Sequence, residues 1–185
     1  ALSPDGRFVA YAVDLSGNRR YTLCVHDIQA GCLLPDRIRN ADCHFGWRRD
    51  GRAVVYASLD RVNQRPARVC LHELGTPRQK DRTLYREGDE AFRCLIQPTN
   101  SGQFLRIVCF SGDTEDVKLL RTADPEAGPF AATPRAAGVV YDLDHGGGLF
   151  TLRTNRTRGD FSVFAAEAPG LPPERWRPIG PRGGG

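Results

Sequence analysis

Methionine is absent from the 185 residues, and lysine occurs only twice against 24 arginines. With no initiating methionine, the chain is expected to be a piece of something longer. No apolar run approaches the ~18 residues that a membrane-spanning helix needs, so no membrane partner is expected. No segment sustains a 3.6-residue apolar period, which leaves almost no room for helix. Histidine is scarce, at His26, His44, His72 and His145, and none of the six cysteines forms a Cys-x-x-Cys pair. Zinc ribbons and dithiol redox motifs are therefore excluded, and no metal or cofactor is expected.

What is present is an ordinary globular composition, with 40% hydrophobic and 26% charged residues. That balance excludes a disordered tail, a collagen or a coiled coil. The net charge of +4 comes from too even a mixture to imply a polyanion, so no nucleic acid is expected. The doublets Arg19-Arg20 and Arg48-Arg49 lie beside the turn signals Gly17-Asn18 and Asp50-Gly51 and read as solvated hairpin ends.

Cys24, Cys32, Cys43, Cys70, Cys94 and Cys109 are separated by 8, 11, 27, 24 and 15 residues. Several alternate with polar neighbours in strand-like runs, as in Leu23-Cys24-Val25-His26, and read as small buried thiols in a reducing compartment, the cytoplasm. A disulfide-bonded secreted domain stays open as the alternative, because the cysteine count is even.

Self-similarity is the most informative feature. Ser3-Pro4-Asp5-Gly6-Arg7-Phe8-Val9-Ala10-Tyr11 recurs as Arg48-Arg49-Asp50-Gly51-Arg52-Ala53-Val54-Val55-Tyr56, with echoes around Gly102 and Gly147. Aligned on Gly6, Gly51, Gly102 and Gly147, the spacings are 45, 51 and 45 residues, the period of four-stranded propeller blades. The turn chemistry agrees: Pro4 presets φ, Asp5 can bond its own backbone, and Gly6 supplies positive φ.

Strands are predicted over Phe8–Val13, Tyr21–Asp27, a short run at Cys32–Leu34 ended by Pro35, and Cys43–Trp47. The same order follows each later turn, with an inserted loop near Gly75–Lys80. The fold class is all-β, a partial β-propeller with about four blades' worth of four-stranded antiparallel sheets. It covers residues 1–182, and residues 183–185 are expected to be a disordered tail.

The run Leu2-Ser3-Pro4-Asp5-Gly6, the segment Arg68–Pro77, and Leu84-Tyr85-Arg86-Glu87-Gly88-Asp89-Glu90-Ala91-Phe92 resemble consecutive stretches of the oligopeptidase B branch of the prolyl oligopeptidase family of serine peptidases. So do Val117–Leu120, Tyr141–His145, Thr154-Asn155-Arg156 with Phe161, and Trp176–Arg182, in the same order. The scattered cysteines and Gly146-Gly147-Gly148 depart from that family's pattern. The resemblance implies part of a seven-bladed propeller that caps an α/β-hydrolase catalytic domain of the same parent chain. It further implies a size filter that admits short basic peptides, which the parent cleaves after Arg or Lys.

The chain itself is expected to be non-catalytic, with no catalytic, cofactor-binding or metal site residue. Ser3, Ser16, Ser58, Ser101, Ser111 and Ser162 all lack the Gly-x-Ser-x-Gly context of a hydrolase nucleophile, and no histidine follows Ser162. Asp142, Asp144 and His145 read as a strand end and hairpin turn, with Asp144-His145 the turn formers, in preference to a metal loop, and Asp113, Glu115 and Asp116 as a solvated loop in preference to a steering patch. Trp47 and Trp176 read as blade packing. The alternative function is a non-catalytic propeller scaffold for protein–protein interaction.

Overall fold

The structure is a computed structural model and describes residues 1–60, 62–157, 160–170 and 175–180. The expected 183–185 tail lies outside the described residues.

The chain forms fourteen strands among the described residues, all in antiparallel sheets, with two three-residue 3-10 turns at Arg78–Lys80 and Pro125–Ala127. The first sheet contains β1 (Phe8–Val13), β2 (Tyr21–Asp27), β3 (Cys32–Trp47), β4 (Ala53–Leu59), β5 (Pro66–Glu73) and β6 (Arg82–Arg86) in sequential order. The second contains β7 (Arg93–Pro98), β8 (Phe104–Ser111), β9 (Thr114–Arg121) and β10 (Phe130–Ala131). The third contains β11 (Tyr141–Gly146), β12 (Leu149–Thr154), β13 (Ser162–Ala166) and β14 (Arg177–Ile179).

The six-stranded sheet is two blades joined through one strand. The first half of β3 pairs with β2, as in Leu23 opposite Ile38, whereas its second half pairs with β4, as in Trp47 opposite Val54. The sequence pattern divides this strand at Pro35, and the structure overturns that division. Between the pairs His26–Leu33 and Cys24–Arg37, β3 carries two extra residues, so Pro35 sits in a bulge where its missing N–H breaks no ladder bond. A second bulge between Ala41 and Phe45 turns the strand from one blade into the next.

The Asp-Gly turns each join the first to the second strand of a blade. Gly6 and Gly51 adopt φ of 73° and 70°, a region that costs glycine nothing and other residues about 1–3 kcal/mol. Asp5 Oδ1 accepts the Arg7 N–H (3.1 Å) and Asp50 Oδ1 accepts the Arg52 N–H (2.9 Å). In the first blade, the strand before the turn is represented by Leu2, bridged to Val9.

Period-2 alternation then distributes the core. All seven residues of β4 are buried. Val54 and Tyr56 face the first blade, with Phe8, Leu23, Val25, Ile38 and Trp47, whereas Ala53, Val55 and Ala57 face the third, with Cys94, Ile96, Leu105, Ile107 and Cys109. The opposite face of β9, Val117 and Leu119, meets Tyr141, Leu143, Phe150 and Trp176 of the fourth blade. The cores therefore lie between blades, at ~1.5–3 kcal/mol for each large apolar side chain fully buried. Trp47 and Trp176 are both buried there, and the Trp47 ring stacks on Phe8.

Candidate functional site

With sheets packed face to face, the polar chemistry collects along the seams between blades. At the first seam His72, on β5, is 1% exposed between two carboxylates. Its Nε2 lies 3.0 Å from Asp36 Oδ1 and its Nδ1 lies 2.7 Å from Asp81 Oδ1. Burial pulls the His72 pKa down, but Asp81 and Asp36 outweigh it and the net shift is upward. The Tyr56 hydroxyl donates to Asp81 (2.6 Å) and the Gly75 N–H to Asp36 (2.7 Å). Beside this network a cavity of about 480 Å³ is bordered by Asp36, Arg37, Arg39, His72 and Arg78.

At the second seam Arg48 Nη2 donates to Glu73 (2.9 Å), and Arg48 Nη1 reaches Glu126 of the third blade (3.2 Å). Arg48, expected as a solvated hairpin end, is therefore an interblade tie with a 15% exposed side chain, whereas Arg19 and Arg20 are exposed as expected. Deeper in this seam Arg135 joins Asp116 and Glu87, each at 2.6 Å, with both carboxylates nearly buried. Burial would raise the Glu87 pKa, but the bonds from Arg135, the Asp89 N–H and the Tyr85 hydroxyl hold it down to about 2.

Cys94 and Cys109 lie next to this cluster, fully buried, with their sulfurs 3.5 Å apart. Of the other thiols Cys24 and Cys70 are buried, Cys43 is half-buried and Cys32 is exposed, so the expectation of burial fails at Cys32. That residue opens the first half of β3, which pairs with β2 on one edge and meets β4 on the other only from Ala41 onward.

The third seam is stitched by Asn100, whose N–H donates to Asp144 Oδ1 (3.0 Å), and by Arg106, which donates to Asp142 (3.2 Å) and the Leu143 carbonyl (2.5 Å). His145 Nδ1 meets Ser101 Oγ at 2.7 Å. Asp142, Asp144 and His145 are thus drawn to three different partners across the seam. Glu115 and Asp116 lie on β9, not in a loop, because β9 begins at Thr114. Asp116 is 4% exposed and Glu115 accepts the Tyr141 N–H (3.0 Å), so the solvated reading holds for Asp113 alone of the three.

The Ser101–His145 contact is the one serine–histidine pair recorded among the described residues, and nothing in the sequence pattern anticipates it. The serine oxygen also accepts the Gln103 N–H (3.1 Å) and contacts the Thr99 hydroxyl (3.1 Å), while the imidazole packs against Phe104 and Phe150. No carboxylate bonds that ring among the described residues, so the pair lacks the orienting group of a triad and serves as a turn lock.

Two groups bring metal-ligating atoms within 4.8 Å of one another: Asp42, Cys43 and His44 in the second β3 bulge, and Glu87, Cys94 and Cys109. In the second group Glu87 is committed to Arg135 and Tyr85, and the Lys118 ammonium stands 3.7 Å from Cys109 Sγ, which opposes a cation.

Antiparallel blades, each with a positive-φ glycine turn between its first two strands and packed on its neighbours through apolar faces, define a β-propeller. The family description "Prolyl oligopeptidase, N-terminal beta-propeller domain" matches residues 1–181, and the chain belongs to that family. It is 32% identical to dipeptidyl aminopeptidase BI of Pseudoxanthomonas mexicana over 178 residues, 95% of this chain and 24% of that protein. It is 27% identical to protease 2 of Moraxella lacunata over 165 residues, 88% of this chain and 24% of that protein. The structure of oligopeptidase B from Leishmania major superposes with a TM-score of 0.80 at 26% identity, covering 90% of this chain and 24% of that one. The chain thus spans about a quarter of the length of these relatives.

Proposed function

We propose that this chain is the cavity-capping and size-filtering part of an oligopeptidase B-like serine peptidase whose parent chain also carries an α/β-hydrolase catalytic domain. Four blades would then be part of a seven-bladed ring, with residues 1–182 inside it. The supporting observation is the match along residues 1–181 to the propeller portion of peptidases four times as long. The chemistry of cleavage would come from the other domain, since no serine of this chain has the Gly-x-Ser-x-Gly context of a hydrolase nucleophile. Substrates would be short peptides cut after Arg or Lys, in the cytoplasm, where six free cysteines are at home.

The name of the Pseudoxanthomonas relative supports a second specificity, removal of N-terminal dipeptides. The test is the full-length protein on blocked Arg reporters, unblocked dipeptide reporters and a series of longer peptides. Turnover of blocked Arg reporters that falls off with peptide length supports the first reading. Turnover confined to free N-termini supports the second, and no serine-inhibitor-sensitive turnover at all would overturn both.

A further inference from the structure

Cys94, on β7, and Cys109, on β8, are Cα partners in the antiparallel ladder. The Thr99 N–H donates to the Phe104 carbonyl, so Thr99 and Phe104 form a hydrogen-bonded pair. Counting back along the ladder in twos makes Arg93 and Phe110 another, and places Cys94 opposite Cys109 at a narrow, non-hydrogen-bonded position. Cα atoms there stand about 4.5 Å apart, inside the range of roughly 4.4–6.8 Å that a disulfide spans. The two sulfurs already touch at 3.5 Å, and no other two thiols are recorded in contact among the described residues.

The surroundings are polar on one side only. Lys118 Nζ lies 3.7 Å from Cys109 Sγ, is held by Asp116 Oδ2, and sits 4.8 Å from the centre of the Tyr85 ring. Lys118 and Arg135 keep side chains 18% and 30% exposed, so the polar flank reaches solvent although the thiols do not. The Cys109 pKa is lowered, first by its hydrogen bond with Cys94 and then by Lys118, against burial; that of Cys94 is raised. Lys118 thus stands beside Cys109 and not Cys94, and favours negative charge on Cys109 Sγ of the two sulfurs.

We propose that Cys94 and Cys109 form an oxidation site, converted by peroxide to a cross-strand disulfide that staples β7 to β8. The Cys109 thiolate attacks one peroxide oxygen; an S–O bond forms, the O–O bond breaks, and hydroxide leaves to take up a proton. Cys94 then attacks Cys109 Sγ, the S–S bond replaces the S–O bond, and the departing hydroxide takes the Cys94 proton. The balance is two thiols and one hydrogen peroxide giving one disulfide and two waters, with the two electrons passing from sulfur to peroxide.

The test treats the full-length protein with rising hydrogen peroxide, alkylates it under denaturing conditions, and maps its peptides without reductant. A peptide pair joined through Cys94 and Cys109, about 2 Da lighter than the sum of its reduced parts, is expected before Cys24 or Cys70 changes, and dithiothreitol should remove it. Recovery of both as alkylated thiols while exposed Cys32 oxidises would overturn the proposal, as would sulfinic acid at Cys109 with no linked peptide. Lys118→Met should slow linkage severalfold at pH 7 and recover near pH 9. Equal rates at pH 7 would remove Cys109 from the role of attacking thiolate.

Discussion

Gly46 on β3 and Leu105 on β8 compete for one volume: a Cβ built on the glycine would stand well inside van der Waals distance of both Leu105 methyl carbons. The absence of one side chain thus lets the second blade close on the third. Gly46→Ala should cost about 1–3 kcal/mol as overpacking, and Leu105→Ala about 2–5 kcal/mol as a cavity. In the double variant the methyl enters space that Leu105 vacated, so the two costs should sum to more than the measured loss. Strict additivity in denaturant melts would show that the two residues do not share the space.

Gly102 offers the same substitution with a different outcome. Its φ is 66° and nothing lies within 4 Å of where an added methyl would stand, so only backbone strain opposes a side chain. Gly102→Ala is expected to cost about 1–2 kcal/mol, and Gly102→Asn clearly less, because asparagine tolerates the left-handed region. Equal melting temperatures for the two variants would contradict this account.

His72 should make stability depend on alkaline pH. Its folded pKa is raised, so the contribution is complete below about pH 6.5 and is lost as pH rises through the folded value. Denaturant midpoints are therefore expected to fall between pH 6 and pH 9. His72→Gln should start lower at pH 6, by about 3–5 kcal/mol, because Asp36 and Asp81 then lose their cation. It should also show a flatter profile; parallel profiles would show that His72 is not the titrating group.

Glu87 works in the opposite direction. With a folded pKa of about 2, its ion pair with Arg135 stabilises the protein above the ordinary carboxylate range and is lost as pH falls toward 2. Thermal melts of the wild type should decline from about pH 4.5 downward. Glu87→Gln should be less stable at pH 6 yet decline less on acidification, and an unchanged slope would assign the acid sensitivity to other carboxylates.

The blade repeat was legible because its signal is local: an Asp-Gly turn needs positive φ, and the glycine at that position marks the same corner every time. Strands such as Phe8–Val13 and Leu149–Thr154 were legible from alternation next to those turns. Pro35 misled, because proline marks a strand end only where its N–H would have been used, and a bulge removes that need. Arg48, Glu115 and Asp116 misled because their partners lie far along the chain, 25 residues away for Arg48 with Glu73 and 26 for Glu115 with Tyr141, and are reached only after blades pack. The Cys94–Cys109 contact had a usable signal, since the two positions flank the Ser101-Gly102 turn at equal distances, but a register is needed to exploit it.

β3 belongs to two blades at once, and this has a mechanical consequence. Tension applied along its sixteen residues loads the ladder to β2 and the ladder to β4 together, in shear, so neither blade can peel away alone. The first two blades should therefore unravel under force as one event, whereas the third and fourth, joined by links instead of a common strand, yield one after the other.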